Sequence, residues 1–279
     1  MPLFKRFPRY LTGGALALSL ASPGLAALDI SGSSTVLPVV ERLVPVFTEQ
    51  TEEPVRLAGG GSGAGIKDAL SGVSQIGMVS RDLKSEERAE LSHTTIGLDA
   101  LAIIVNRDNP LDRITKSQLV ELYSGRIDNW RALGGPDLAV VRVSKEVGRS
   151  TLELFEHYTG LQSPDRPPSD TPRISQKAYV IGSNLEALTL VGGLPGAIGY
   201  VSVGTAQAMA EAGLPVKVLV LDGVEPSNAA IADGRYPIVR PLNLVYREPT
   251  PSVSAFLALA LSPRGQDVVK SLGFLSVDR

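Results

Sequence analysis

From Leu28 onward, short runs of β-branched and aliphatic residues alternate with stretches whose apolar positions recur every three or four residues. The first pattern suits buried strands and the second suits helices with one apolar face. Strands are expected at 28–31, 55–58, 75–80, 100–106, 140–144, 197–203, 217–221 and 242–247, and helices at 39–48, 65–70, 85–91, 116–123, 151–158, 185–191, 206–212 and 253–261. Strands alternating with helices predict an α/β architecture with a largely parallel sheet. The segment Gln162 to Pro172 holds four prolines and is expected to be an exposed loop.

Two polar breaks interrupt this pattern. Asn106-Arg107-Asp108-Asn109-Pro110 follows a long apolar run, and Gly234-Arg235-Tyr236-Pro237 precedes a late strand. They suggest that the chain leaves one lobe and later returns to it. The expected organisation is a discontinuous first lobe of 28–105 plus 241–279, a second lobe of 106–240, and a cleft with a two-segment hinge. At 279 residues the chain is long enough for two such lobes.

The first 27 residues differ from the rest. Lys5, Arg6 and Arg9 precede the apolar, Ala-rich run Leu11 to Leu20, and Gly24-Leu25-Ala26-Ala27 supplies small residues for cleavage. The segment reads as a cleavable secretory signal, too short and too interrupted by Gly13, Gly14 and Pro23 to read as a membrane span. The protein is expected to be soluble and periplasmic. Removing the segment takes three basic and no acidic residues, so 27 against 29 becomes 24 against 29 and the net charge moves from −2 to −5. A mildly acidic chain lacks the basic excess of a dedicated nucleic-acid binder, so no nucleic-acid partner is expected. With no cysteine there is neither a thiolate nucleophile nor a thiolate metal site. Only His93 and His157 are present, no metal-ligand set is visible, and no cofactor is expected.

Three segments share one device, a strand that runs into Gly and Ser/Thr residues and then into a helix. They are Gly32-Ser33-Ser34-Thr35, Gly59 to Gly65 around Ser62, and Gly148-Arg149-Ser150-Thr151. Each puts free backbone NH groups and a hydroxyl at a helix N-terminus, where the dipole favours negative charge. Any one alone is most simply an N-cap; three in one chain suggest an anion cradle. Other readings of the Gly-rich run fit less well. Gly59-x-Gly61-x-x-Ala64 nominally matches a dinucleotide fingerprint but lacks the acidic residue at the end of a following strand. Gly65 is followed by Ile66 and Lys67 rather than by Lys-Ser/Thr, and Ser62 lacks the second glycine of a nucleophile elbow. Basic residues near these corners strengthen the anion reading: Arg81 ends the third strand, Arg142 and Lys145 lie on and just beyond the strand before the last corner, and Arg149 lies within it.

The motifs Ser31-Gly-Ser-Ser-Thr-Val-Leu-Pro38, Gly59-Gly-Gly-Ser-Gly-Ala-Gly-Ile-Lys67, Ile76-Gly-Met-Val-Ser-Arg81, Leu98 to Asn106 and Leu122 to Trp130 resemble, in order and spacing, the phosphate-binding proteins of bacterial ABC importers. Gly196 to Val201 and Gly234 to Pro241 extend the likeness over nearly all of the chain after the signal segment. The resemblance implies a type II periplasmic binding protein, with two α/β domains that close over phosphate and present it to an inner-membrane ABC permease. It also implies a monomer that catalyses no reaction. Carried over by position, the phosphate contacts are Ser34, Thr35, Ser62, Arg81, Arg149, Ser150 and Thr151, with Ser80 as an addition. The family's arginine falls on Lys145, and Arg142 enters from its strand context alone.

Where many members read Gly-Ser-Gly-Thr, this chain reads Gly148-Arg149-Ser150-Thr151, and Lys145 lacks the bidentate fork of an arginine. Some members carry an Asp at the position of Arg81, which accepts a proton from the ligand; Arg81 cannot. A more cationic pocket with weaker discrimination by protonation state is expected. Two other functions stand beside this one: a secreted phosphatase-like or esterase-like hydrolase using Ser62, and a binding-protein scaffold turned to adhesion or signalling.

Overall fold

The computed structural model describes residues 27–277; the expected signal segment lies outside these residues up to position 26. The chain runs β1 (Leu28–Gly32), α1 (Leu37–Thr51), β2 (Val55–Gly59), α2 (Ser62–Ser71), β3 (Ile76–Val79), α3 (Ser85–Glu90) and the long β4 (Ser92–Asn106). It continues through β5 (Arg113–Ile114), α4 (Lys116–Ser124), β6 (Val141–Lys145), α5 (Ser150–Thr159), β7 (Tyr179–Ile181), α6 (Asn184–Gly193) and β8 (Ala197–Ser202). The last part comprises α7 (Val203–Glu211), β9 (Val216–Val218), β10 (Val220–Leu221), α8 (Asn228–Ala232), β11 (Val239–Tyr246), α9 (Pro251–Leu261) and α10 (Pro263–Ser271). The proline-rich segment after α5 is irregular, tied down by the pairing of Arg166 with Glu156 at 2.6 Å.

The main sheet has the order β2-β1-β3-β11-β4-β8-β6-β7, with β9 also on β4. It is mixed rather than largely parallel. β1 is parallel to β2 and β3, and β6 is parallel to β7 and β8. In the middle, β11 is antiparallel to β3 and β4, and β4 is antiparallel to β8 and β9. The reason is topological: the chain passes into its second half along β4 and comes back along β11, so these two strands run in opposite directions.

Two large hydrophobic cores lie on this frame, with a small third cluster of Ile66, Ala69, Val79, Leu83, Leu91 and Val245 beside them. The first gathers Leu28, Leu43, Phe47, Ile96, Leu244 and Phe256, and the second gathers Leu101, Ile103, Tyr123, Trp130, Phe155 and Tyr200. The two large cores part between Ile96 and Ala100 on β4 and between Val239 and Leu242 on β11. The polar break at Asn106 marks the end of β4, not the parting of the cores, because the C-terminal half of this 15-residue strand is already built into the second core. At the parting, Asp99 and Arg240 are register partners.

Helices α1 and α2 leave the sheet through tight corners. At the end of β1, Gly32 has φ +131°, and a Cβ there would meet the Met78 carbonyl oxygen at 2.3 Å and the Gly65 Cα at 2.9 Å. Only glycine allows β1, β3 and α2 to approach this closely. Gly32→Ala is therefore expected to destabilise the protein by about 2–3 kcal/mol, measured as a lower midpoint in urea unfolding.

Candidate functional site

The corners after β1, β2 and β6 converge on one seam between the two cores. Gly61, at φ +92°, is the N-cap of α2, and its position is crowded by the Arg149 side chain and the Gly148 carbonyl. The NH of Gly63 donates to that Gly148 carbonyl at 3.0 Å, a backbone bond from one half of the molecule to the other. Helix α5 is fixed from below by Phe155, whose ring stacks on Tyr200 with centroids 4.0 Å apart and an interplanar angle of 5°. That packing aims Ser150 and Thr151, its first two residues, at the seam. At α1 the amides are already engaged, those of Thr35 and Val36 by Ser33 Oγ and those of Leu37 and Val39 by the Ser33 and Val36 carbonyls, whereas α2 and α5 begin at Ser62 and Ser150, where the helix dipole makes the end electropositive.

Two clusters of hydrogen bonds cross the seam. Ser80 Oγ lies 2.8 Å from Ser33 Oγ and 2.7 Å from Ser150 Oγ, while the Ser80 NH donates to Ser62 Oγ at 3.0 Å. Beside them, Arg240 donates from Nη2 to Thr35 Oγ1 and from Nη1 to Thr151 Oγ1, each at 3.2 Å. Asn184, the first residue of α6, donates to the same Thr35 oxygen at 3.1 Å. Arg240 is held by Asp99, whose Oδ2 accepts from Nε at 2.9 Å and from Nη2 at 2.7 Å. Both side chains are 1% exposed or less.

Lys145 is also buried. Its ammonium donates to the carbonyl of Ser183, the N-cap of α6. Burial, reinforced by the charges of Arg149 and Arg240, lowers Lys145 from 10.5 to about 7, against the opposing pull of Glu186 and Glu146. Glu186 is itself held below its usual value, chiefly by the Ser183 NH it accepts from. Arg149 reaches Glu146 Oε2 at 2.7 Å from Nη2 and stands at the rim of the seam.

The residues expected from the sequence therefore fall into two groups. Thr35, Ser62, Ser80, Lys145, Arg149, Ser150 and Thr151 come together, and Ser34 sits half-buried on the same turn as Ser33. Arg142 differs. It is three residues from Lys145 on β6, so the two side chains leave opposite faces of the strand. Arg142 donates instead to the carbonyls of Leu122 and, at 2.5 Å, Ile127, securing the C-terminal turn of α4 and the loop after it. Arg81 also differs. In the bend just past β3, its terminal nitrogens pair with Glu87 at 2.7 Å instead of joining the hydroxyls around Ser80.

Ser33, Asn184, Asp99 and Arg240 were not among the expected residues. The available signal was a single charge in each of two otherwise apolar runs, Leu98-Asp99-Ala100 and Val239-Arg240-Pro241. Taken together, the seam offers hydroxyls, amide donors and three cations, the donor set for a small tetrahedral oxyanion. The hydroxyl of Ser62 accepts from a backbone NH, and among the described residues neither His93 nor His157 is its hydrogen-bond partner.

Two α/β halves with separate cores, two continuous strands between them and a polar seam where they meet define a type II periplasmic-binding-protein fold. The family model described as a PBP superfamily domain matches residues 19–264. A putative phosphate ABC transporter substrate-binding protein from Clostridium perfringens, solved with bound phosphate, superimposes with a TM-score of 0.81. It is 33% identical, over 91% of this chain and 100% of that one. An ABC-type phosphate transport receptor from Vibrio cholerae gives a TM-score of 0.71 and 30% identity over 89% and 99%. The phosphate-binding protein PstS of Borreliella burgdorferi is 27% identical over 254 residues, 90% of each chain. The chain belongs to the PBP superfamily.

The buried charge pair is the most exacting part of this arrangement. Asp99→Asn leaves Arg240 in the interior without its carboxylate and is expected to cost about 3–5 kcal/mol of stability, read from urea unfolding of the anion-free protein.

Proposed function

We propose that this protein captures inorganic phosphate, or a related tetrahedral oxyanion, in the seam between its two halves and hands it to the permease of an ABC importer. The single observation that carries the proposal is the pair of hydrogen-bonded clusters drawn from both halves, Ser33–Ser80–Ser150 and Thr35–Arg240–Thr151, beside buried Lys145. The names of the relatives support phosphate as the guest. The ligand-binding set comprises Ser33, Ser34, Thr35, Ser62, Ser80, Lys145, Arg149, Ser150, Thr151, Asn184 and Arg240. The protein acts as a periplasmic monomer, delivered by the basic-then-apolar segment at residues 1–27, and turns over no substrate. The division into lobes of 28–105 plus 241–279 and 106–240 belongs to the proposal, with the hydrophobic cores favouring a first crossing nearer Asp99.

A panel of phosphate, sulfate, arsenate, molybdate and tungstate tests this directly by thermal shift. At about 1,000 dissociation constants, the guest is expected to add roughly 4 kcal/mol of stability. A protein whose melting temperature no oxyanion moves is not an oxyanion carrier, and hydrolysis of a chromogenic phosphate ester would point to the enzyme class instead.

The buried lysine adds a pH signature. An anion beside Lys145 favours its charged form, so the group titrates higher in the complex than its value of about 7 in the anion-free protein. Below pH 7 both states carry the proton and affinity is level; above it, binding must take up a proton. Affinity is expected to fall as pH rises from about 7, by up to about tenfold per pH unit until the lysine of the complex also titrates. Calorimetry with sulfate, which does not titrate in this range, isolates the protein's contribution, and Lys145→Met is expected to flatten the profile.

A further inference from the structure

Arg81 has a task that its commitment to Glu87 leaves incomplete. Its Nη1 and Nη2 are fixed by the two oxygens of Glu87 at 2.7 Å, and Nη1 also donates to the Asp82 carbonyl at 2.9 Å. Glu87 is locked in turn by the Lys84 NH at 2.9 Å, and the Arg81 carbonyl accepts from Asn243 on β11 at 3.0 Å. Everything on this list belongs to the half built around the first core. The remaining nitrogen, Nε, is buried and among the described residues makes no aligned hydrogen bond, but it lies 2.7 Å from Oε2 of Glu153. Glu153 is in the first turn of α5, in the other half of the molecule. The guanidinium is thus held rigid on one side and presents a single charged edge across the seam.

We propose that Arg81 and Glu153 form an electrostatic latch that holds the two halves together, with Glu87 as the residue that positions Arg81 to receive Glu153. The pair lies outside the hydroxyl groups that would hold the guest, so it acts on closure and not on recognition. Burial raises the Glu87 carboxyl, but its bonds from Arg81 and the Lys84 NH outweigh this and keep it below its usual value, so the cation is compensated even with the halves apart. Separation of the halves therefore strips Arg81 of one carboxylate and leaves the other in place. With only 22% of its side chain exposed, Glu153 is poorly screened while closed and becomes hydrated on opening.

The latch itself needs no anion; its effect on ligand release rests on the function proposed above. In the full-length protein, Glu153→Gln is expected to raise the dissociation rate of inorganic phosphate about tenfold while the association rate stays within about twofold, because a lost charge pair that forms on closure acts on release. The anion-free variant is expected to have a larger radius of gyration in small-angle scattering. Added potassium chloride is expected to speed release from the wild type more than from the variant. Glu153→Asp, which keeps the charge on a shorter arm, is expected to fall between the two and decides the matter if Glu153→Gln fails to fold. An unchanged radius of gyration and an unchanged release rate in folded Glu153→Gln would overturn the latch. If the wild type does not bind phosphate, the scattering comparison still decides for or against the latch while the phosphate reading alone fails.

Discussion

The contact between Asp99 and Arg240 sits where the two halves of the molecule meet, and the rest of the arrangement depends on it. Two full charges with almost no exposure are tolerable only as a pair, because either one alone would bear the whole cost of leaving water. Pairing uses Nε and part of Nη2 and leaves the outer edge of the guanidinium to bond Thr35 from one half and Thr151 from the other. The two register partners lie on the strands that connect the halves, so the charge that organises the seam is anchored where the chain crosses from one half to the other. Arg240 thereby ties one corner of each half to the crossing strands.

Around this point the design is repetitive. Each corner follows a strand and turns through glycine; α2 and α5 then start at Ser62 and Ser150, while α1 starts at Leu37 just after the hydroxyl turn Ser33–Thr35. Backbone amides and side-chain oxygens then face the same space without any loop long enough to blur their positions. Lys145 is a different kind of element. A buried ammonium near neutrality is costly without an anion, and the two neighbouring guanidinium groups increase that cost. A guest of opposite charge relieves this tension, which couples occupancy of the seam to the protonation of a single side chain.

Much of the scaffold was legible because it follows from periodicity. The strands at the start of the chain and the helices after them stand within a few residues of where apolar spacing puts them, since each element buries one face in a local core. The extent of β4 was not legible: Ser92 to Asp99 is polar and irregular in pattern, and its strand structure comes from pairing with β11, a partner about 140 residues away. Helix α10 was not among the expected helices, and it carries Pro263 and Gly265, residues of low helix propensity. In the fold the proline occupies the first turn, and the glycine lets the helix pack against the Leu259 and Ala260 carbonyls. In the site, hydroxyls at the corners could be read from strand-turn-helix spacing, whereas the aim of Arg81 and Arg142 could not. One residue of phase on a strand decides which face a side chain takes, and carbonyls or carboxylates from distant segments then capture it.

The bond from the Gly63 NH to the Gly148 carbonyl joins the halves through main chain alone. No side chain takes part in it, so substitutions among the neighbouring hydroxyl and cationic residues leave this meeting point untouched. What the seam prefers and how its two sides meet are therefore set by different atoms, side chains for the one and main chain for the other.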